Sequence, residues 1–227
     1  MAIAELLDEL FPIRIPAEAA ENLAGFRAWV TSESFPEKWR ASFFKGEILL
    51  EMSPEETETH NKVKGAVHYT LLNLNRRSRL GTVYVDGVQL SNKASDLSTQ
   101  PDAMFVTRAT LRTGRVRRVQ RKGRAGEYTE LLGTPDLVVE VVSRSSYKKD
   151  TKELPVLYAR AGIPEYWLID ALGDEIDFKL LRRGARNYIA VESHRGWLSS
   201  PLFGRSFKLI RERDEDGDWQ YELRSKK

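Results

Sequence analysis

Apolar and polar positions are most sharply ordered between Thr134 and Asp170, TPDLVVEVVSRSSYKKDTKELPVLYARAGIPEYWLID. The run Leu137 to Val142 is too short for a useful helix and almost wholly β-branched, which predicts a buried strand. Period-two alternation puts Asp136, Val138, Glu140 and Val142 on one face and Leu137, Val139 and Val141 on the other. Lys149 to Ala161 carries Leu154, Leu157, Tyr158 and Ala161 at helical spacing, with Gly162 as a left-handed cap and Pro164 just beyond. Tyr166 to Ile169 predicts another strand. Strand, helix and strand this close together form a crossover unit with parallel strands and a right-handed connection.

The same reading extends to both sides. Ile3 to Phe11 is short and amphipathic, and Ala17 to Val30 predicts a helix with the stripe Ala20, Leu23, Ala24 and Trp29. Trp39 to Phe44 and Glu47 to Met52 flank Lys45-Gly46 as a hairpin. Thr57 to Ser78 is the longest helical pattern, with Val63, Val67, Leu71 and Leu74 on one stripe and Gly81 expected to cap it. Thr82 to Leu90 reads as one strand bent at Asp86-Gly87, Ser91 to Gln100 as a polar connection, and Ala103 to Val106 as a short strand. Beyond Asp170 short strands recur at Glu175 to Leu181, Asn187 to Val191, Phe207 to Arg211 and Trp219 to Leu223, and DEDGD at Asp214 to Asp218 reads as a hairpin turn.

At 227 residues, 41% apolar and 30% charged, the chain has the composition of one globular domain. No run is long enough to span a bilayer, and acids stand where an export signal is basic, so no membrane association and a cytoplasmic location are expected. The absence of cysteine excludes a disulfide frame and a thiolate zinc site. A net charge of +3 says little, but Arg112 to Arg124 (RTGRVRRVQRKGR) is basic with no acid, fitting either a solvated loop or a phosphate contact.

Two carboxylates stand out against this pattern. Glu140 lies amid four valines, where an unpaired charge costs several kcal/mol, roughly, unless a cation or donors meet it. Asp102, after Pro101, opens a strand and reads either as a turn aspartate or as a second acid at a sheet rim. His60 lies on the stripe of the long helix, as a hydrogen-bonded core residue or as part of a site. Ser143 and Ser145 lack the G-x-S-x-G turn of a nucleophile elbow.

Pro101-Asp102, PDLVVEVVS at Pro135 to Ser143, LYARAGIPEYWLID at Leu157 to Asp170 and FFKGEILLEMSPEETETH at Phe43 to His60 together resemble the Uma-two-type restriction endonucleases of the PD-(D/E)XK nuclease superfamily. The resemblance runs from about Phe35 to Asp170 and is looser beyond. It implies an α/β fold with a restriction-endonuclease-like core, αβββαβ, in which a mixed sheet is flanked by helices. An N-terminal helix and hairpin and C-terminal β-hairpins complete a single domain over residues 1–227, with the core at about 35–170 and a β extension at 171–227.

By the same resemblance, Asp102 is the PD aspartate and Glu140 the strand carboxylate, holding Mg²⁺ or Mn²⁺ for hydrolysis of DNA. His60 and Glu51 border the site, Arg115, Arg117, Arg118, Arg121 and Lys122 contact the DNA backbone, and a homodimer is expected. The superfamily lysine two places after the glutamate is here Val142, and the helix lysine four places before the tyrosine matching Tyr158 is Leu154. Lys152 and Lys149 stand as alternatives, although two residues turn a helix by about 200°. With that lysine displaced, the other reading is a catalytically impaired nucleic-acid-binding protein on a nuclease scaffold.

Overall fold

The computed structural model describes residues 15–36, 39–51 and 53–227. The amphipathic stretch expected at Ile3 to Phe11 lies outside them, as does Met52 at the end of the expected hairpin.

The predicted first helix is broken in two. Asn22 is extended and accepts a hydrogen bond from Gly25 N, so α1 (Ala17–Glu21) ends and α2 (Leu23–Val30) begins on an asparagine cap. A hairpin follows, β1 (Arg40–Phe44) and β2 (Glu47–Glu51), turning on Lys45 and Gly46, both at positive φ. The long helix is α3 (Lys62–Ser78), entered through a wide π turn at Thr57–Asn61 whose amides are capped by the Glu56 carboxylate. It closes on Arg79 in the left-handed conformation, not on Gly81. Gly81 instead opens β3 (Gly81–Val85), because a Cβ there would stand 2.1 Å from the Val106 carbonyl oxygen on the neighbouring strand.

Thr82 to Leu90 is not one strand. The chain turns at Asp86-Gly87, and β4 (Gln89–Asn92) joins a different sheet from β3. Ser91 to Gln100, expected as polar connection, holds half of β4 and all of β5 (Leu97–Thr99), and both strands are buried. Their hydroxyls and amides satisfy one another: Ser91 Oγ lies 2.7 Å from Ser98 Oγ, and Gln89 Nε2 donates to Ser98 Oγ at 2.8 Å. The chain continues through β6 (Ala103–Thr107), α4 (Arg108–Arg112), β7 (Val116–Gln120), β8 (Tyr128–Gly133) and β9 (Leu137–Val141). A second π turn, Lys149–Glu153, leads into α5 (Leu154–Arg160), which ends at Gly162 with φ +81°. Then come β10 (Glu165–Asp170), β11 (Asp177–Arg183), β12 (Tyr188–Ala190), β13 (Leu198–Ser200), β14 (Arg205–Arg213) and β15 (Trp219–Lys226).

The central sheet has the order β12-β11-β10-β9-β6-β3, with β9 and β10 parallel and the other neighbours antiparallel. Its core elements, α3-β3-β6-β9-α5-β10, are the expected αβββαβ. One face carries Leu137, Val139 and Val141 against Val63, Val67 and Leu71 of α3 and against Phe207, Leu209 and Leu223 of the three-stranded sheet β13-β14-β15. The other face carries Val138 and Val142 against Leu154, Leu157 and Tyr158 of α5, and Leu90, Leu97 and Leu131 from the remaining sheet, β2-β1-β5-β4-β8-β7. Burying both faces of β9 explains its almost unbroken apolar sequence. The expected hairpins after Asp170 are present: β11 and β12 widen the central sheet, while β14 and β15 turn at Asp214 to Asp218.

Candidate functional site

Because β6 runs antiparallel to β9 with Ala103 opposite Val139, the residue just before β6 lies beside the last turn of the pleat in β9. That places Asp102 next to Glu140. The Asp102 amide donates to Glu140 Oε2 at 3.4 Å, and the Val141 amide donates to Asp102 Oδ2 at 2.7 Å. Both side chains are buried and stand at the wall of a cavity of about 350 Å³, which is also lined by Glu51, His60, Lys149 and Asp150. Asp102 is thus at the rim of the sheet at a strand end, although its strand is interior to the sheet.

The two acids are held differently. Tyr158, buried on α5, donates to Glu140 Oε1 at 2.6 Å. Burial, with the negative charges of Asp150 and Asp102, nevertheless pushes the Glu140 carboxyl well above the usual carboxylate range, against the pull of Lys149 and Tyr158. Burial also works to raise Asp102, but His60, Lys64 and the Val141 amide outweigh it and hold Asp102 below its ordinary value.

The π turn and the long helix that continues it present His60, Lys64 and His68 to Asp102. His60 precedes Lys64 by one turn and His68 follows it by one, and all three reach Asp102. His60 Nε2 is 3.6 Å from Oδ2, Lys64 Nζ is 3.3 Å from Oδ1, and His68 Nε2 is 2.7 Å from the main-chain oxygen. Lys64 also binds Asp86 at 2.6 Å and Glu55, and Arg40 bridges the same two acids. His60 is charged more readily than usual: burial opposes this and Asp102 overcomes it, while His60 Nδ1 has no hydrogen-bond partner.

Of the two lysine alternatives, Lys149 points into the cavity, paired with Glu51 and 3.9 Å from Asp150 Oδ1. Lys152 is exposed and does not line it. Leu154 is fully buried in the apolar layer with Val138 and Leu157, so that position brings no cation. Asp150 is a site residue that the sequence reading passed over. It lies in the first part of the second π turn, is buried, and its Oδ1 has no hydrogen-bond partner. Burial drives its pKa up to about 7, despite Lys149 and Ser146, with Asp102 and Glu51 adding to the rise. An acid one residue past a lysine pair, at the entry of the helix that carries Tyr158, is equally the pattern of a solvated helix start, so nothing in the sequence marked it.

The basic stretch sits elsewhere. Its middle is no loop but strand β7, at the edge of its sheet opposite β2, with turns on either side at Thr113 to Arg115 and Arg121 to Arg124. None of Arg115, Arg117, Arg118, Arg121 and Lys122 lines the cavity. Arg115 pairs with Asp136, which shares its face of β9 with Glu140 but sits at the strand's other end. Arg118 lies over the Tyr128 ring at 4.9 Å, while Arg117 and Lys122 are exposed.

No helix among the described residues is long and apolar enough to cross a membrane. No curated protein matches the chain significantly. A solved structure, "Crystal structure of a putative nuclease belonging to DUF820 from Anabaena variabilis ATCC 29413", superposes with a TM-score of 0.59 at 17% identity, covering 81% of this chain and 90% of that one. At that identity it establishes the fold. The Uma2 family model, "Putative restriction endonuclease", matches residues 24–209, from within α2 into β14. The match takes in both carboxylates, the cavity and the whole central sheet, and the chain belongs to the Uma2 family.

Proposed function

We propose that the chain is a divalent-metal-dependent endonuclease hydrolysing DNA phosphodiester bonds at this cavity, with Asp102, Glu140 and Asp150 as the cation-holding carboxylates and Lys149 as the basic group beside them. The observation that carries the reading is the meeting of Asp102 and Glu140, residues from separate strands, at the wall of an open cavity. The donors suit a hard cation. Glu140 and Asp150 are pushed toward their neutral forms by burial and by neighbouring acids, and Asp150 Oδ1 has no donor of its own. Among the described residues no three such side chains already converge on one point, so the fit rests on donor type and unmatched acidity.

Bound Mg²⁺ or Mn²⁺ supplies acidification of a water and counter-charge for the scissile phosphate. The protein's own groups do the rest. Tyr158 fixes one oxygen of Glu140, the Val141 amide and His60 fix Asp102, and Lys149 places an ammonium near Glu140 and Asp150 to orient the attacking water or meet charge on the phosphate. Hydrolysis of plasmid DNA with Mg²⁺ or Mn²⁺, compared between the parent chain, Asp102→Ala and Glu140→Ala, tests this. Each variant is expected to lose at least about a hundredfold in rate with an unchanged circular dichroism spectrum. Variants that cut like the parent would overturn the assignment. Leu154 in the apolar layer favours a second reading, a nucleic-acid-binding protein without turnover. A parent chain that binds DNA in chelator and never cuts with either metal would establish it.

A further inference from the structure

We propose that the groove between α3 and β15 binds single-stranded nucleic acid, at a site separate from the cavity. It holds about 1090 Å³ and presents Tyr69, Asn73, Arg76 and Arg77 from the helix, with Arg205 and Arg224 from the sheet. Its one lining carboxylate, Glu222, is taken by Arg224 at 2.7 Å. Among the described residues Arg76, Arg77 and Arg205 have no acidic partner. The Tyr221 hydroxyl, at the same groove, has no hydrogen-bond partner either.

Charge and shape point to one ligand class. The cavity gathers acids, whereas this groove gathers guanidiniums, and a chain of phosphates is drawn to the second. Arginines in the last turn of a helix complement its dipole, which accounts for Arg76 and Arg77. It does not account for Arg205 on the facing strand or for Tyr69, whose side chain is 72% exposed about two turns before those arginines. An exposed ring aligned with cations is a stacking platform, and stacking needs an unpaired base face, which a duplex does not offer. Lys64, against Asp102, lies about 18 Å up the helix axis from Arg76, so a strand in the groove leaves the cavity open.

The proposal does not rest on cleavage and is tested without metal. Anisotropy of a labelled oligothymidylate of about 16 nucleotides is measured with the full chain in EDTA over a range of salt, beside a duplex of equal length. The oligonucleotide is expected to bind better than the duplex. Arg76→Ala/Arg77→Ala is expected to weaken binding at least about tenfold and to reduce the slope of log affinity against log salt by about 1.4. Tyr69→Ala is expected to weaken it by roughly 5- to 150-fold with the slope unchanged, and Tyr69→Phe to restore it. All three positions are exposed, so melting temperatures should not move. Preference for duplex, or indifference to these substitutions, would overturn the site. So would a parent dimer that the arginine variant dissociates, with no oligonucleotide bound, since a second copy would then fill the groove. A parent that binds but never cuts would sink the cavity reading alone. One that cuts but ignores Tyr69, Arg76 and Arg77 would sink this one alone.

Discussion

Asp150 shows what burial does to a single carboxyl. Its pKa of about 7, against 3.8 ordinarily, is raised in the folded state. Protonation therefore contributes stability that is complete below about pH 4 and is lost as pH rises through 7. The metal-free protein is expected to gain stability from Asp150 as pH falls from 8 toward 5. Denaturant melts across that range should show the gain in the parent and its flattening in Asp150→Asn, and equal slopes in the two would refute it. Glu140, raised for the same reason, acts in the same direction. The oddity of an acid among valines was legible from sequence. Asp150 was not, because nothing in KKDTKE separates a buried aspartate from a solvated helix start.

Elements were legible where one face is apolar and the other polar. The helix α5 and the hairpin β1-β2 follow that pattern and stand where periodicity puts them, while β9, buried on both faces, was marked by its apolar run. The strands β4 and β5 did not announce themselves, because each has a single buried leucine, Leu90 or Leu97, among buried Ser, Thr, Gln and Asn, so burial there leaves little hydrophobic trace. Basic β7 was equally concealed: its exposed arginines gave the composition of a loop while Val116 faced the core. At this scale Arg27 of α2 grips the fully buried side chain of Glu130 on β8 through two hydrogen bonds, at 2.6 and 2.9 Å. Glu130→Ala strands that guanidinium and is expected to destabilise the protein by about 3 kcal/mol, measured as a lower urea midpoint with the slope unchanged. A shift under about 0.5 kcal/mol, the range of ordinary surface substitutions, would show the pair to be incidental.

For the whole molecule, order along the chain carried the architecture, since helix, three strands, helix and strand leave few ways to pair. The insertion of β4, β5, β7 and β8 between β3 and β9 was invisible, because they complete their sheet through the pairing of β5 with β1 from far upstream. A cation that binds only the folded chain stabilises all of it at once: about 2.7 kcal/mol at a hundred times its dissociation constant. Mn²⁺ is thus expected to raise the melting temperature of the parent and leave that of Glu140→Gln where it was. An equal rise in both would place the ion elsewhere.

The pairing of Ala103 with Val139 acts as a ruler. Slip it by a single residue and every side chain of the displaced strand changes sides, so Asp102 would turn away from its neighbour's acid. A half-zipped chain therefore owns both carboxyls yet keeps them apart, and the proposed ion site must arrive with the last rung of that ladder.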